Sequence, residues 1–565
     1  MKSVSGKNWE EFSTDKRLIE KIKLDHALND IQAKLILSRN YSKEEIFLIK
    51  NKIPLNNPFL KTQDFLAGIK LLQNSVISNE KILIIGDYDV DGCVSTSLMV
   101  NFLKKNNVHL NYYIPDRFKD GYGASEKLID NLIKKFTPEL IIFLDCGSNS
   151  NEALAYLNSK SIKSLIIDHH NTQKPYPPCN VFINPKKDLD YKKFNYFCTA
   201  FLTYWFIDLF IKSYKCHNSL KDFQIFVLLA TVADVMPMKG INKIFAKHVL
   251  ENFDINKNPI IKYIFKLFKI KKKLEIDDLG YKISPLFNSA GRLTNANQII
   301  ELLTTNSDEL IIKIINRLNK LNEKRKFLEK NILDELNTKI IDNQKGIITI
   351  YKTFLHEGII GIIASRIKDY FNKPCIVLTK SGNIIKGSAR SLDNFNLGEC
   401  IIKAVKKKIL ISGGGHNLAA GLSLTENNIE LFKKFTSNFF KDRKHSSKFI
   451  YDSRVSLNAI NDNFIESINL LGPFGNKNPN PLFLLQDVKI VKSRKIKNNF
   501  IVCYISKNKK MIKASSFHDI RSNISYELQN SINTFNLVVK IKKNKWNNKN
   551  NIEVEIVDLI KIYKT

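Results

Sequence analysis

The sequence predicts an α/β protein with two α/β domains joined by a long helix and followed by a small β-barrel. In the N-terminal half, short apolar runs that end near an aspartate recur, as buried strands of a parallel sheet do. A long amphipathic stretch separates this half from a second group of strand-like runs. Residues 446–565 then contain five short strand-like runs with polar loops, a pattern typical of a small barrel.

Length and composition agree with several folded domains. A chain of 565 residues exceeds what one hydrophobic core usually serves, and 44% hydrophobic residues favour folded structure over disorder. Changes in composition along the chain predict five segments. These are a helical segment at residues 1–75, a first α/β domain at 76–305, a connecting helix at 306–341, a second α/β domain at 342–445 and the barrel at 446–565.

Local signals predict the helices and strands within these segments. Ser42 is a candidate N-cap in the first segment, and Ser307 marks the start of a later helix. From Ile311 to Leu336 apolar residues recur with the 3.6-residue period of an amphipathic helix. The sequence supports equally a connector and a core helix of either domain. In the second α/β domain, residues 347–350 and 375–378 are strand-like.

Three carboxylates follow the first apolar run of the N-terminal half. Residues 81–85 predict a buried strand, and Asp87, Asp89 and Asp91 come at alternate positions directly after it. Such carboxylates repel one another unless a cation neutralises them. Because sites in open α/β sheets lie beyond the carboxyl ends of the strands, this segment predicts a site for a hard cation. The alternative is a solvated acidic loop.

Three further apolar runs lead to acidic residues. Residues 139–144 precede Asp145, residues 164–167 precede Asp168, His169 and His170, and residues 225–230, helix or strand, run toward Asp234. Carboxylates with one or two imidazoles suit Mn²⁺ or Mg²⁺, and the lack of thiolates argues against structural zinc. The alternative for the two histidines is a hydrogen-bonded loop pair.

In this order, the motifs resemble those of the DHH phosphoesterase superfamily, and within it the bacterial exonucleases specific for single-stranded DNA. Motifs further along resemble the associated DHHA1 domain, and the resemblance covers roughly residues 80–485. The matching segments are 87–92, 115–117 with 121–123, 145–147, 168–170, 231–237 and 288–292, and then 356–366, 386–391, 413–416 and 419–421.

The resemblance implies a DHH catalytic domain, a DHHA1 substrate-binding domain and phosphodiester hydrolysis from the 5′ end of single-stranded DNA with two divalent ions, Mn²⁺ or Mg²⁺. It implies metal ligands at Asp87, Asp89, Asp91, Asp145, His169 and Asp234. The catalytic residues that it implies are Asp89, Asp91, Asp145, His169, His170 and Asp234. It implies substrate contacts at Arg117, Asn288, Arg292, Arg366, Ser388, Arg390, Gly414, Gly415 and His416. For His416, the alternative is a residue that only caps or packs a glycine turn.

The chain departs from the family pattern at two positions. Leu286 stands where members of the family usually carry arginine, which puts one phosphate contact in doubt. Lys477 replaces a glycine expected in a turn. Neither change removes an expected metal ligand.

The C-terminal barrel is predicted to be of the OB type. Its strand-like runs are residues 451–457, 483–492, 500–506, 536–541 and 552–557. OB folds often bind single strands through aromatic stacking and a basic groove. Candidates are Phe500, Tyr504 and Phe517 beside Lys497, Lys507 and Lys513. For each aromatic residue we favour the alternative that it fills the barrel.

Three other functions agree with parts of the sequence. A DHH phosphodiesterase of short oligonucleotides or cyclic dinucleotides normally stops after the second domain, so residues 446–565 argue against it. In a pyrophosphatase of the superfamily, the second domain lacks the Gly413–His416 pattern. A non-catalytic scaffold that binds single-stranded DNA would have lost ligands, whereas this chain has the whole set.

Charge and cysteine content add the cellular context. The net charge of +33 favours a nucleic-acid partner, although a bias toward Lys, Asn and Ile explains part of the excess. Eight cysteines without CxxC spacing indicate reduced thiols, and Cys93 and Cys146 beside the acidic motifs are interpreted as packing residues. No apolar stretch predicts a signal peptide or membrane span. We expect a cytoplasmic monomer that binds single-stranded DNA and, as further partners, a single-strand-binding protein and a helicase.

Overall fold

The computed structural model describes residues 1–562 apart from 118, 121–122, 188–192, 217–218, 336–345, 393–394, 442–447, 497–499, 519–521, 531–533 and 547–548. The chain divides into two compact units. Unit 1 comprises Met1–Tyr113, Gly123–Ser284 and Ser447–Thr565, and unit 2 comprises Ile114–Tyr122 and Pro285–Ser446. Among the described residues, no helix is long and apolar enough to cross a bilayer.

The N-terminal segment of unit 1 is mostly helical, as predicted. It contains β1 (Asn8–Glu11), α1 (Lys16–His26), α2 (Asp30–Ser38), α3 (Lys43–Phe47) and α4 (Gln63–Ile77). Ser42 is the N-cap of α3, as the sequence predicts: its side chain accepts from the Glu45 N–H, and the Glu45 side chain accepts from the Ser42 N–H.

A five-stranded parallel sheet forms the centre of unit 1. Its strands are β2 (Ile82–Gly86), β3 (Leu110–Tyr113), β4 (Leu140–Leu144), β5 (Lys163–Ile167) and β6 (Val181–Ile183), in the order β3-β2-β4-β5-β6. The helices α5 (Val90–Lys105), α6 (Glu126–Phe136) and α7 (Asn151–Ser159) lie between them in the chain. Strands β2 and β4 are wholly buried, which explains their continuous apolar sequence. The register pairs Gly86 with Leu144, and Leu144 with Ile167, so β2, β4 and β5 end level.

Helices complete the first α/β domain. They are α8 (Thr199–Tyr214), α9 (Gln224–Ala233), α10 (Gly240–Asn252), α11 (Pro259–Leu267) and α12 (Ile276–Asp278), followed by a π-helical turn at Leu279–Ile283. The apolar run at residues 225–230, which the sequence left open, is therefore helical. Asp234 is the C-cap of α9 and does not follow a strand.

Unit 2 contains a mixed five-stranded sheet and six helices among its described residues. In chain order the elements are α13 (Ser284–Leu293), α14 (Asn297–Thr304), α15 (Asp308–Glu335), β7 (Ile348–Tyr351), α16 (Ile360–Phe371), β8 (Cys375–Ser381), β9 (Ile384–Arg390), α17 (Leu397–Lys406), β10 (Ser412–Gly415), β11 (Ala419–Leu424) and α18 (Ile429–Lys441). The strand order is β10-β11-β9-β8-β7, and only the β7–β8 pair is parallel.

The predicted long helix exists as α15. Its apolar face, which includes Ile311 and Leu318, is buried, and Ile332 belongs to a core cluster with residues of β7, β8 and α16. The helix is therefore also a core helix of unit 2. Leu336 lies outside the described residues, as do the predicted domain boundaries near 341 and 445.

The C-terminal part of unit 1 is a closed barrel, as predicted. Its elements are β12 (Lys448–Tyr451), β13 (Ser453–Arg454), α19 (Asp462–Asn469), β14 (Phe483–Ile496), β15 (Phe500–Lys507), β16 (Lys510–Ser516), α20 (Asn523–Asn530), β17 (Thr534–Trp546) and β18 (Lys549–Lys561). Strands β14, β15, β16, β18 and β17 pair in this order, and β17 pairs back with β14. Closure leaves no free edge within the ring. The sequence analysis missed β16, because its alternating Lys, small and apolar residues form only a weak strand pattern.

Contacts outside the ring fix the barrel to the rest of unit 1. Strand β12 pairs in parallel with β1. Arg39 binds Asp452 through two nitrogen–oxygen contacts of 2.7 and 3.0 Å, and the Trp9 Nε1–H donates to Asp558 at 2.8 Å. The N-terminal segment and the barrel are thus one packed region.

Lys477 lies in the loop before β14 with a φ of 60°, in the left-handed region that favours glycine. A side chain in this conformation costs the folded state about 1–2 kcal/mol, and glycine removes that strain. Glycine also raises the conformational entropy of the unfolded chain, which offsets about 0.4–1 kcal/mol of the stabilisation. We therefore expect Lys477→Gly to be more stable than Lys477→Ala by about 0.5–1 kcal/mol. Both substitutions remove the charge, so their urea unfolding midpoints isolate the backbone effect; equal midpoints would contradict it.

Candidate metal centre and phosphate-binding site

The backbone brings the predicted metal ligands to one edge of the parallel sheet. Because β2 and β4 end level, Asp87 and Asp145 leave the sheet side by side. Asp89 is the N-cap of α5, accepting from the Gly92 N–H at 3.0 Å, so Asp91 lies in the first turn of that helix. A Cβ at Gly92 would lie 2.5 Å from the Asp87 carbonyl oxygen, so only glycine permits this tight turn.

All six predicted metal ligands, and His170, lie in three overlapping groups. Within each group, one ligand atom per residue lies within 4.8 Å of the others. The groups are Asp87, Asp89 and Asp145; Asp91, His169 and Asp234; and Asp145, His169 and His170. Asp145 therefore links the acidic group to the histidines, the position expected of a ligand shared by two ions.

Distances around His169 define the second group more closely. Its Nε2 lies 3.4 Å from Asp145 Oδ1, 3.4 Å from Asp234 Oδ2 and 3.8 Å from Asp91 Oδ2. Asp234 Oδ2 is buried, yet it accepts no hydrogen bond from the described part of the chain. A buried acceptor without a donor, among carboxylates and imidazole, fits a divalent cation of the Mn²⁺ or Mg²⁺ kind.

Burial and mutual repulsion set the protonation of these carboxylates. Burial raises the pKa of Asp145 well above its usual value, and the neighbouring charges of Asp91, Asp89 and Asp87 add to this effect. The same causes raise the pKa of Asp234, and that of Asp91 to about 6. The anionic cluster is thus costly by itself, and a bound cation would relieve that cost.

Asp168 behaves differently from the other carboxylates. Its Oδ1 accepts from the backbone N–H groups of His169 and His170 and lies 2.8 Å from His170 Nδ1, and its Oδ2 accepts from the Ser148 N–H. Burial alone would raise the pKa of Asp168, but the charge of His170 holds it below its ordinary value. In turn, Asp168 outweighs burial and raises the pKa of His170 to about 9. This ion pair orients the histidine loop, a role the sequence analysis did not assign.

Lys186 is another residue near the site that the sequence analysis missed. Burial lowers the pKa of Lys186, while the charges of Asp234, Asp168 and Asp145 act to raise it. No motif pointed to it, because a lysine in a loop after β6 has no distinctive spacing.

In unit 2, Arg390 and Ser388 on β9 lie against the start of α16 and make a candidate anion site. Arg390 Nη1 donates to Ser388 Oγ at 3.0 Å, and a Cβ at Gly361, the second residue of α16, would lie 3.0 Å from both Arg390 Nη2 and Ser388 Oγ. Burial lowers the pKa of Arg390, and the charge of Arg117 adds to this effect. Two guanidinium groups, a hydroxyl and a helix N-terminus suit a phosphate.

Arg292 and Asn288 lie one turn apart on α13. Arg292 Nη1 donates to the Gly358 carbonyl at 3.1 Å, and a Cβ at Gly358 would lie 2.0 Å from the Arg292 carbonyl oxygen, so the backbones touch. Asn288 is half-buried on this helix. Leu286 is fully buried, so the position where arginine is usual contributes apolar packing and no charge here.

The surroundings of the remaining residues that were predicted to contact substrate do not point to a particular ligand. Arg366 Nε donates to Glu329 Oε1 at 2.7 Å, which ties α16 to α15, and its phosphate contact stays a prediction. Gly414 and Gly415 lie on the edge strand β10, and a Cβ at Gly415 would lie 2.3 Å from the Ala419 carbonyl oxygen. His416 is exposed beside this hairpin, where its backbone N–H donates to Ala419.

The surface of the barrel presents aromatic side chains. Tyr504 is 37% and Phe517 64% exposed, and the half-buried Phe500 lies 5.5 Å from Phe517 between ring centroids. None of the three belongs to the barrel core. The expectation that these rings fill the barrel is therefore wrong: the core is filled by other residues, most of them aliphatic, with Phe483 and Phe535 among them. Lys497 lies outside the described residues.

Comparisons with known proteins match all three folded parts. Family profiles match residues 81–231 ("DHH family, N-terminal domain"), 343–442 ("DHHA1 domain") and 451–558 ("RecJ OB domain"). The single-stranded-DNA-specific exonuclease RecJ of Haemophilus influenzae is 30% identical over 457 residues, covering 76% of this chain and 79% of the relative. RecJ of Bacillus subtilis is 27% identical over 582 residues, covering 98% and 71%.

Solved structures agree on the fold. The crystal structure of RecJ from Thermus thermophilus in complex with Mn²⁺ superposes with a TM-score of 0.83 at 20% identity, covering 99% of this chain and 80% of that one. A second structure of the same protein, with Mg²⁺, gives a TM-score of 0.74 over 99% and 79%, at 19% identity.

The parallel sheet with its carboxylate–histidine edge, followed by the second α/β domain, defines a DHH phosphoesterase. Within this class, the closed barrel matches the RecJ OB domain. The chain is also 30% identical to RecJ of Haemophilus influenzae over most of the length of both proteins. The chain belongs to the RecJ family.

We expect the Asp168–His170 ion pair to give the metal-free protein a pH-dependent stability. The folded pKa of His170, about 9, lies above the unfolded value of about 6.5, so the pair stabilises fully below about pH 6.5 and loses its effect as pH rises through about 9. In EDTA, His170→Asn should lower stability by about 1.5–3 kcal/mol at pH 6, with a shrinking difference toward pH 9. The exposed His109→Asn is the control, and a pH-independent difference for His170→Asn would contradict the pairing.

Proposed function

We propose that this chain is an exonuclease that hydrolyses phosphodiester bonds of single-stranded DNA from the 5′ end, using two divalent cations, Mn²⁺ or Mg²⁺. The observation that carries the proposal is that Asp145 belongs to two of the three ligand groups, the acidic one and the one with both histidines. Two adjoining sites with a common carboxylate are the usual arrangement for phosphodiester hydrolysis. The similarity to RecJ exonucleases specific for single-stranded DNA supports the substrate.

The ligand groups suggest how the cations would be held. Asp87, Asp89 and Asp145 would hold one ion, and Asp91, His169 and Asp234, with Asp145, the other. Bound cations would supply hydroxide near neutral pH and stabilise negative charge on the attacked phosphate. His170, held by Asp168, would orient the ligands or contact phosphate.

Phosphate recognition would come from the anion site of unit 2. Arg390, Ser388 and the N-terminus of α16 converge, with Arg117 close enough to perturb Arg390. This site would hold a phosphate of the strand, with Arg292, Asn288, Arg366 and the Gly414–His416 hairpin as further contacts. The 5′→3′ polarity rests on the family resemblance described above.

The exposed aromatic rings of the barrel support a substrate longer than a dinucleotide. Tyr504 and Phe517 can stack with bases, and such stacking contributes about 1–3 kcal/mol per base. This favours long single strands over the short oligonucleotides of the smaller relatives. The complete ligand set argues against a scaffold without activity.

Partners and location complete the proposal. We propose that the protein acts as a monomer on strands that a helicase has exposed, together with a single-strand-binding protein. Such partners suit a nuclease that cleaves only single strands. None of the eight cysteines, all of which lie in the described part of the chain, forms a disulfide, which agrees with a reducing cytoplasm.

Asp145→Ala should abolish hydrolysis, because the shared ligand of both sites is lost. The loss of activity should exceed the 10–100-fold that is typical of residues that only orient ligands. The fold should stay intact, because removing a buried carboxylate relieves its repulsion with the neighbouring carboxylates. The assay is shortening of 5′-labelled, 3′-labelled and duplex DNA with Mn²⁺; the wild type should release the 5′ label from single strands and spare blunt duplex.

The exposed Asp25→Ala on α1 is the matched control and should act like the wild type. Activity of the Asp145→Ala protein near the wild-type level would refute the shared-ligand assignment. Dominant release of the 3′ label by the wild type would refute the proposed polarity alone.

Arg390→Ala should lower the single-turnover cleavage rate by about 10²-fold or more, because a charged phosphate donor is lost. Mn²⁺ affinity should not change, since Arg390 lies in unit 2 and outside the ligand groups. Arg317→Ala, an exposed arginine of the same unit, is the control. A normal rate for Arg390→Ala would remove this residue from the phosphate site.

A further inference from the structure

The first turn of α8 lies against two of the proposed metal ligands. The backbone N–H groups of Thr199 and Ala200 donate to Asp91 Oδ2 and Oδ1, each at 2.7 Å. The Thr199 hydroxyl also donates to Asp145 Oδ1 at 2.9 Å. One helix start therefore contacts a carboxylate from α5 and the carboxylate that follows β4.

The side chain of Thr199 is not used to cap its own helix. The N-cap of α8 is Cys198, and no side-chain cap hydrogen bond forms there. Thr199 is the first residue of the helix, one position after the N-cap. Its hydroxyl points to Asp145, a residue 54 positions earlier in the chain.

The hydrogen bond from Thr199 to Asp145 is shielded from water. Thr199 is 0% and Asp145 1% exposed, so water cannot replace the hydroxyl as a donor. The oxygen that Thr199 contacts, Oδ1, is also the one 3.4 Å from His169 Nε2. A donor held against one oxygen of a ligating carboxylate fixes the orientation of the whole group, and such outer partners tune the affinity for metal.

We propose that Thr199 is a positioning residue of the metal centre, whose hydroxyl holds Asp145 in the orientation that binds cations. The start of α8 would thereby couple Asp91 and Asp145, which belong to different ligand groups. The inference rests on the proposed function, because it assigns Thr199 a role toward the same ions. It adds a residue that lies outside the motifs of the sequence analysis.

The test is Thr199→Val, which keeps the shape of the side chain and removes the hydroxyl, with Thr199→Ser as the conservative variant that restores it. Thr203→Val is the matched control on the same helix. Thr203 is equally buried, and its hydroxyl has no hydrogen-bond partner within the described part of the chain. Isothermal titration with Mn²⁺, without DNA, gives the readout.

We expect Thr199→Val to weaken Mn²⁺ binding about 10–100-fold, the range for residues that orient metal ligands. Thr199→Ser should bind within about threefold of the wild type, because the hydroxyl is restored. Thr203→Val should match the wild type. Thermal unfolding in EDTA checks the fold of each variant; if Thr199→Val does not fold, Thr199→Ala is measured against the same expectations.

Three outcomes are separable. Wild-type Mn²⁺ affinity in Thr199→Val, or an equal loss in Thr203→Val, overturns the role of Thr199 and leaves the proposed function intact. A loss in Thr199→Ser as large as in Thr199→Val assigns the effect to packing and also overturns it. Absence of Mn²⁺ binding by the wild type overturns the proposed function itself.

Discussion

The structure depends on the crowding of buried carboxylates at one edge of a parallel sheet. Level strand ends place Asp87 and Asp145 side by side, and the following helix start adds Asp89 and Asp91. Burial and repulsion make the ionised forms of Asp91, Asp145 and Asp234 costly. Asp168 is compensated within the fold by its pairing with His170. Asp91 accepts two N–H groups of α8, yet its pKa stays raised, as do those of Asp145 and Asp234.

This difference among the carboxylates explains how the site would combine a stable fold with affinity for metal. Carboxylates that are fully compensated by protein donors have less to gain from a cation. Those that are left under-compensated gain most when one binds, so binding energy becomes folding energy. Asp234 Oδ2, buried without a hydrogen-bond donor in the described chain, is the clearest example. The same residues would thus limit the stability of the metal-free chain and create its affinity for metal.

The barrel is integrated with the N-terminal segment and is not an appended module. The parallel pairing of β1 with β12 and the buried Arg39–Asp452 pair join regions more than 400 residues apart in sequence. Removing one partner of a buried ion pair is strongly destabilising, by about 3–5 kcal/mol. Deleting the barrel would therefore disturb the rest of unit 1, and substitutions at exposed rings such as Phe517 are the cleaner way to examine its surface.

The sequence by itself determined the α/β class, the long helix, the barrel and which carboxylates and histidines cluster, because strand periodicity and acidic motifs are local signals. It could not decide that the run before Asp234 is helical, that α8 supplies donors to Asp91, or that Tyr504 and Phe517 face outward. Nor could it place Arg117, whose short segment belongs to unit 2 although its neighbours in the chain belong to unit 1. These features were decided by tertiary structure, because each depends on which distant segment packs against a residue, and neither composition nor spacing encodes that contact.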